Sequence, residues 1–115
     1  MKRGEVWWSR QAPPPARDDG PRLVLLLSWD AGLTRRDRVI VATITRNTRG
    51  LDAEVFLDQQ DGLYSPCVVN LDIMSTILRS WLTRRVSELS VMKMQAVEVA
   101  IHRALGITLR CPHAS

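Results

Sequence analysis

The segment Val39–Arg46, VIVATITR, constrains this chain more than any other. Its first four residues are apolar without a break and its second half alternates, which fits a strand covered on both faces that surfaces at one end. It reads as the centre of the chain. Residues 39, 41, 43 and 45 point to one side and 40, 42, 44 and 46 to the other, so Thr43 and Thr45 share a face while Arg46 looks away. Thr45 therefore sits at the exit of a buried strand, where a hydroxyl can be presented rigidly to a ligand. The ordinary preference of threonine for strands explains it equally well.

The flanking segments supply neighbours for that strand. Gly4–Trp8 is a short strand whose paired tryptophans must face opposite sides. One belongs in the core; the other can line a groove and stack on a nucleobase, or pack under a loop or at a dimer interface. Leu23–Ser28 is apolar on both faces and so is central or covered on each side. Arg22 opens it at the rim, either as a solvated strand end or as a phosphate clamp suited to a planar guanidinium. Between them Ser9–Pro21 has no periodicity and three consecutive prolines. It reads as a loop, a lid or a polyproline connector carrying Arg17, Asp18 and Asp19.

Trp29–Arg38 reads as a turn that brings Arg35, Arg36 and Arg38 to the hairpin end, a solvated cluster or a patch that tracks an RNA backbone. After a turn at residues 47–50, Ala53–Leu57 alternates as an antiparallel partner of the central strand. A polar loop over Asp58–Pro66 follows. Cys67–Leu71, Ser75–Leu78 and Arg85–Leu89 complete a set of about seven local, antiparallel strands, which fits a small barrel. Ser90 is placed to N-cap a helix running to Leu105, with Gly106 as its left-handed stop. Met94, Val97, Ile101 and Leu105 form an apolar stripe for packing on the barrel, and Lys93 stands where a glutamate would complete a capping box.

A length of 115 residues with 45% hydrophobic content allows one domain, and a charged fraction of 24% is globular rather than disordered. Lysine and arginine exceed aspartate and glutamate by 16 to 12, which favours a polyanionic partner such as RNA or an acidic protein. No apolar stretch reaches signal-peptide or membrane-spanning length, so a soluble, cytoplasmic protein without a membrane partner is expected. Cys67 in an apolar run and Cys111 in the tail suit free thiols rather than a disulfide framework or metal site. His102 lies beside the helix stripe and His113 in the tail, an arrangement that does not suit a two-histidine ribonuclease.

Four segments, in this order and spacing, resemble the MazF/PemK family of toxin endoribonucleases. They are Arg3-Gly4-Glu5-Val6-Trp7, Gly20-Pro21-Arg22 leading into LVLLLS-Trp29-Asp30, VIVATIT ending at Thr45, and Cys67–Asp72 followed by the helix with its Ala-Leu-Gly finish at 104–106. The resemblance implies a mainly β, SH3-like small barrel of the CcdB/PemK type with a C-terminal helix. It implies a homodimer that cuts single-stranded RNA, whether messenger, transfer or ribosomal, at short sequences without a metal or other cofactor. Attack by the 2′-hydroxyl would leave 2′,3′-cyclic phosphate and 5′-hydroxyl ends. An antitoxin with an acidic tail would hold the enzyme in check at a basic groove. By position, Arg22 and Thr45 are the implied catalytic pair, with Trp8, Arg17, Asp19, Ser28, Arg46 and Asn70 implied in RNA binding.

This chain departs from the family pattern in three places. PPPARDDG replaces a Gly-Ser-Glu-Gln type loop, Leu23 replaces a proline, and Ile73-Met74-Ser75-Thr76 stands where Gln-Ile-Arg-Thr is common. The alternative is a non-catalytic RNA- or protein-binding module on the same barrel, including a CcdB-like poison of a protein target. CcdB relatives act through a Trp-Gly-Ile helix end, whereas this chain finishes Cys-Pro-His-Ala-Ser. A generic SH3-type interaction domain would use Trp7 and Trp8 as its platform.

Overall fold

The computed structural model describes residues 1–14, 20–28 and 37–107. Six strands form one antiparallel sheet: β1 (Glu5–Ser9), β2 (Arg22–Leu26), β3 (Arg38–Thr45), β4 (Glu54–Leu57), β5 (Cys67–Leu78) and β6 (Leu82–Glu88). Their order across the sheet is β4-β5-β3-β2-β1-β6. The two apolar runs, β2 and β3, are its middle pair, as burial on both faces demands. Val24, Leu25 and Leu26 are fully buried, and so are Val41 and Ala42.

Two expectations are corrected. The sheet is not a hydrogen-bonded closed barrel, because its outer strands β4 and β6 do not pair with each other. The Ser87 hydroxyl of β6 instead donates to the Asp61 carbonyl at 2.7 Å, in the connection that leaves β4. The second correction concerns strand number, which is six rather than seven among the described residues. Residues 67–71 and 75–78 belong to a single bent strand, β5, whose register against β3 slips between the Ala42–Met74 and Ile44–Val69 pairs. The extra β5 residues lie at the bend, where the Asn70 side chain accepts from the Asp72 amide at 2.9 Å. Bulges of this sort bend a strand without ending it, so a local polar side chain marks a corner rather than a gap.

Both faces of the sheet are covered. On one, Val6, Leu25, Ala42, Ile44, Val69 and Leu71 pack with Met94, Val97 and Ala100 of the helix α1 (Val91–Leu105). On the other, Val24, Leu26, Val39, Val41 and Ile77 form a smaller cluster against Trp7, Trp81 and Leu82. Ile40 is the exception within the central run, at 44% exposed. Its cross-strand partner Thr76 is exposed too, so the cover ends before that row.

Helix α1 begins and ends as its sequence dictates. Ser90 caps it by accepting from the Lys93 amide, and Gly106 closes it at φ 69° with its N–H on the last carbonyls. The stripe is shifted from the expected one, because Ala100 is buried whereas Leu105 is 56% exposed. Lys93 does not complete a capping box. It reaches across instead, donating to the Phe56 carbonyl at 2.9 Å and pairing with Asp61 at 3.4 Å. No helix among the described residues is long and apolar enough to cross a membrane.

Candidate functional site

The register of the central strands brings distant residues into rows. Leu23 of β2 pairs with Ile44 of β3 on one side and with Trp8 of β1 on the other, and Trp8 pairs in turn with Arg84 of β6. One residue further along, Arg22 pairs with Ser9, and continuation of the β2–β3 register sets Thr45 opposite Arg22. Directly opposed residues on antiparallel strands have Cβ atoms only about 5 Å apart. Two residues separated by 22 intervening positions in the chain thus become neighbours at the end of the central strand pair of the sheet.

That end of the sheet opens into a cleft of about 1040 Å³. Trp8, Arg22, Leu23, Ile44, Thr45 and Arg46 line it from the sheet, Arg84 and Arg85 from β6, and Gly62–Ser65 from the connection between β4 and β5. Four arginines line it and, among the described residues, no aspartate or glutamate does. Such a surface attracts a polyanion.

Arg22 and Thr45 are each held from their own strands. The Arg22 guanidinium donates to the Pro21 carbonyl at 3.2 Å, and a Cβ added to Gly20 would lie 3.3 Å from its Nη1. The backbone at 20–21 therefore lies against the guanidinium and limits where it can swing. Thr45 Oγ1 accepts from the Asn47 amide at 3.2 Å. That bond occupies a lone pair and leaves the hydroxyl proton for donation into the cleft.

A buried carboxylate stands behind the β6 wall. Glu5 is 5% exposed and accepts from Arg85 Nε at 2.7 Å, the Lys2 amide at 2.8 Å and the Trp7 indole at 3.1 Å. Burial by itself pushes the Glu5 carboxyl up, but the bonds from Arg85, Trp7 and Lys2 together with the N-terminal charge outweigh it and hold the group below its ordinary value. Contact with Glu5 conversely raises Arg85. The register of β6 on β1 slips on both sides of the Arg84–Arg85 pair, between Val6 and Trp7 and between Trp8 and Ser9.

Cys67 is buried and lines the cleft, and its thiol is pushed up first by burial and then by the charge of Asp61, with Arg46 opposing and Asp58 adding the least. These effects disfavour the thiolate, the form in which a cysteine acts as a nucleophile. Among the described residues no three His, Cys, Asp or Glu side chains converge as metal ligands. The His102 Nδ1 donates to the Glu98 carbonyl at 2.7 Å on the helix, away from the cleft.

The structure brings Arg22, Thr45, Trp8 and Arg46 to one cleft. It does not bring Ser28 or Asn70 there. Ser28 lies past the opposite end of β2, where its hydroxyl accepts from the Ile40 amide at 2.6 Å, and Asn70 is buried at the β5 bend. Arg17 and Asp19 lie outside the described residues, as do Asp18, Arg35, Arg36, Cys111 and His113. Of the two tryptophans, Trp7 packs on the smaller core cluster and Trp8 takes the cleft. Sequence reasoning missed Arg84, Arg85 and Tyr64. Arg84 falls between the expected strands Ser75–Leu78 and Arg85–Leu89, though the run Thr83-Arg84-Arg85-Val86 carries β-forming residues at both ends. Tyr64 was hidden in a polar loop, where the only signal was that it is the chain's single tyrosine.

Comparison with known proteins adds a family to this geometry. Residues 2–105 match the family described as "PemK-like, MazF-like toxin of type II toxin-antitoxin system". The chain is similar to a Mycobacterium tuberculosis protein named probable endoribonuclease MazF5, at 36% identity over 104 residues, covering 90% of this chain and 91% of the relative. It is similar in structure to Mycobacterium tuberculosis toxin MazF-mt6, with a TM-score of 0.81 at 30% identity over 91% of this chain and 99% of that one. A mycobacterial endoribonuclease solved in complex with its cognate antitoxin shares the fold, with a TM-score of 0.81 at 22% identity over 96% and 99% of the two chains.

Proposed function

The chain belongs to the PemK-like, MazF-like toxin family of endoribonucleases, and on that premise we propose that Arg22 and Thr45 cleave single-stranded RNA in the arginine-lined cleft. The observation that carries the reading is the register that opposes Arg22 and Thr45 at the mouth of a cleft with four arginines and no described carboxylate. A phosphodiester bound there meets donors on two adjacent strands.

In the proposed step the ribose 2′-hydroxyl oxygen bonds to the neighbouring phosphorus while the bond from phosphorus to the 5′-oxygen breaks. The 2′-hydroxyl loses its proton and the departing 5′-oxygen gains one, leaving a 2′,3′-cyclic phosphate and a 5′-hydroxyl. Negative charge grows on the phosphoryl oxygens, and donors already aimed at them lower the barrier because they need not reorganise. The Arg22 fork supplies two such donors and Thr45 a third, which also holds the scissile group in line. Guanidinium groups provide the positive charge, so the reaction runs without a metal ion.

The same charge suits an inhibitor. An antitoxin with an acidic tail would compete for the cleft, in keeping with the antitoxin complex of the mycobacterial neighbour. A homodimer would double the cationic surface and give RNA a longer track.

The test is incubation of the purified chain with mixed-sequence single-stranded RNA in EDTA, with Arg22→Ala alongside and product ends mapped. Discrete cuts with cyclic phosphate and 5′-hydroxyl ends, absent with the variant, are expected. Equal cutting by Arg22→Ala removes this residue from the chemistry, and binding without cutting leaves a non-catalytic RNA-binding module.

A further inference from the structure

Tyr64 is 94% exposed, the most exposed large hydrophobic side chain among the described residues, and it lines the cleft that also holds Trp8. The backbone that carries it is nevertheless fixed at many points. Asp58 caps the 3₁₀ turn Gln59–Asp61 by accepting from the Gln60 amide at 2.9 Å, while Asp61 accepts in return from the Asp58 amide at 3.0 Å. The Leu63 amide donates to the Asp58 carbonyl, and the Leu63 side chain is buried in the main core. Ser87 of β6 and Lys93 of α1 both bind Asp61.

Gly62 completes the clamp. It lies at φ 85°, and a Cβ there would stand 2.6 Å from the Ser87 Cβ, so only glycine lets this connection lie against β6. The turn is tied to two other elements, and two residues beyond Gly62 stands an aromatic ring that touches water. A ring held this way loses little backbone freedom on binding, which is what an efficient contact requires.

We propose that the connection Asp58–Ser65 is a fixed arm that presents Tyr64 as a stacking platform for a nucleobase of the bound RNA, a second base subsite beside Trp8. The inference rests on the reading of the cleft as an RNA site. Arginines hold the sugar-phosphate backbone, and the two rings take bases, whose faces stack on aromatic side chains whatever their identity. Tyr64 is a positioning residue, not one that takes part in bond cleavage.

Because the ring is exposed, its removal leaves the fold intact, and three variants separate the possible roles. With the cleaved oligoribonucleotide as substrate, Tyr64→Ala raises KM on the order of 10- to 100-fold with kcat nearly unchanged. Tyr64→Phe and Tyr64→Trp restore the parental KM, since stacking needs the ring and not the hydroxyl. Replacing single bases of the RNA by abasic sites identifies the partner, because at one position the parental chain and Tyr64→Ala bind equally. An unchanged KM for Tyr64→Ala overturns the proposal. So does a failure of Tyr64→Phe to rescue, or a change in oligomeric state that accounts for the loss.

The cleavage reading fails separately. If the parental chain binds RNA without cutting it, fluorescence anisotropy of the labelled RNA replaces KM, and weaker binding by Tyr64→Ala still supports the platform. If the parental chain neither cuts nor binds RNA, both readings fall.

Discussion

Two open surfaces of this molecule differ in how their charges are balanced. The cleft at the Arg22–Thr45 end of the sheet has four arginines and no described acidic side chain on its walls. The groove of about 620 Å³ between β4 and α1 has Asp52 and Glu54 against Lys93 and Arg103. In that groove the charged groups serve the fold: Glu54 accepts from the Thr48 hydroxyl and from the amides of Arg49 and Leu51, and Lys93 ties α1 to β4. Arg85 of the cleft is paired with Glu5 and Glu88 from outside its walls, so the contrast lies in the lining itself: arginines without carboxylates in the cleft, and side chains of both signs in the groove.

Substitutions can break that contrast. The largest effect separates Arg22→Ala, which abolishes RNA cleavage, from Arg103→Ala in the balanced groove, which leaves turnover unchanged. Loss of activity in both, with both folded, would erase the distinction between the surfaces.

Next comes the buried corner behind the cleft. Glu5→Gln removes the carboxylate that Arg85, Trp7 and the Lys2 amide all bind. It lowers stability by about 2 kcal/mol in denaturant titration, with cleavage by the folded protein retained.

A smaller effect is read in salt. RNA binding weakens with rising salt in proportion to the phosphates neutralised, with a slope near 0.7 per contact on a single strand. Arg46→Gln lowers that slope by about 0.7, and Lys93→Gln does not change it. Equal slopes for the two variants would mean that RNA does not follow the arginine-lined cleft.

The smallest is a pH dependence in the groove. Backbone donation from Arg49, followed by Leu51, the Thr48 hydroxyl and Gly50, outweighs burial and holds the Glu54 carboxyl below its ordinary value. A carboxyl lowered by folding adds stability that is present above its unfolded pKa and lost as pH falls through the folded one. The melting temperature of Glu54→Gln therefore lies below that of the parent near neutrality, and the gap closes on acidification. A gap that widens in acid would contradict this.

Much of the frame was legible in the chain itself. VIVATIT and LVLLL read as buried strands because continuous apolar runs of that length leave no polar face to water, and they form the centre of the sheet. Ser90 and Gly106 marked the helix ends through their own local bonds. The bend of β5 was misread as a break, because a bulge and a loop both begin with polar residues and differ only in whether the ladder resumes. Closure of the barrel was expected from strand number, but closure depends on whether β4 and β6 meet, a long-range property with no local signature.

Sequence alone determined which residues could do chemistry: an arginine at a strand entrance, a threonine at a strand exit, an excess of basic side chains and the segments that place the chain in its family. Tertiary structure decided which of them share a surface. The antiparallel register puts Arg22 beside Thr45, separates Ser28 and Asn70 from both, and adds Arg84 and Tyr64 from segments between the expected strands. The physical reason is that strand periodicity fixes only which face a residue takes, while the meeting of faces depends on pairings between strands far apart in the chain.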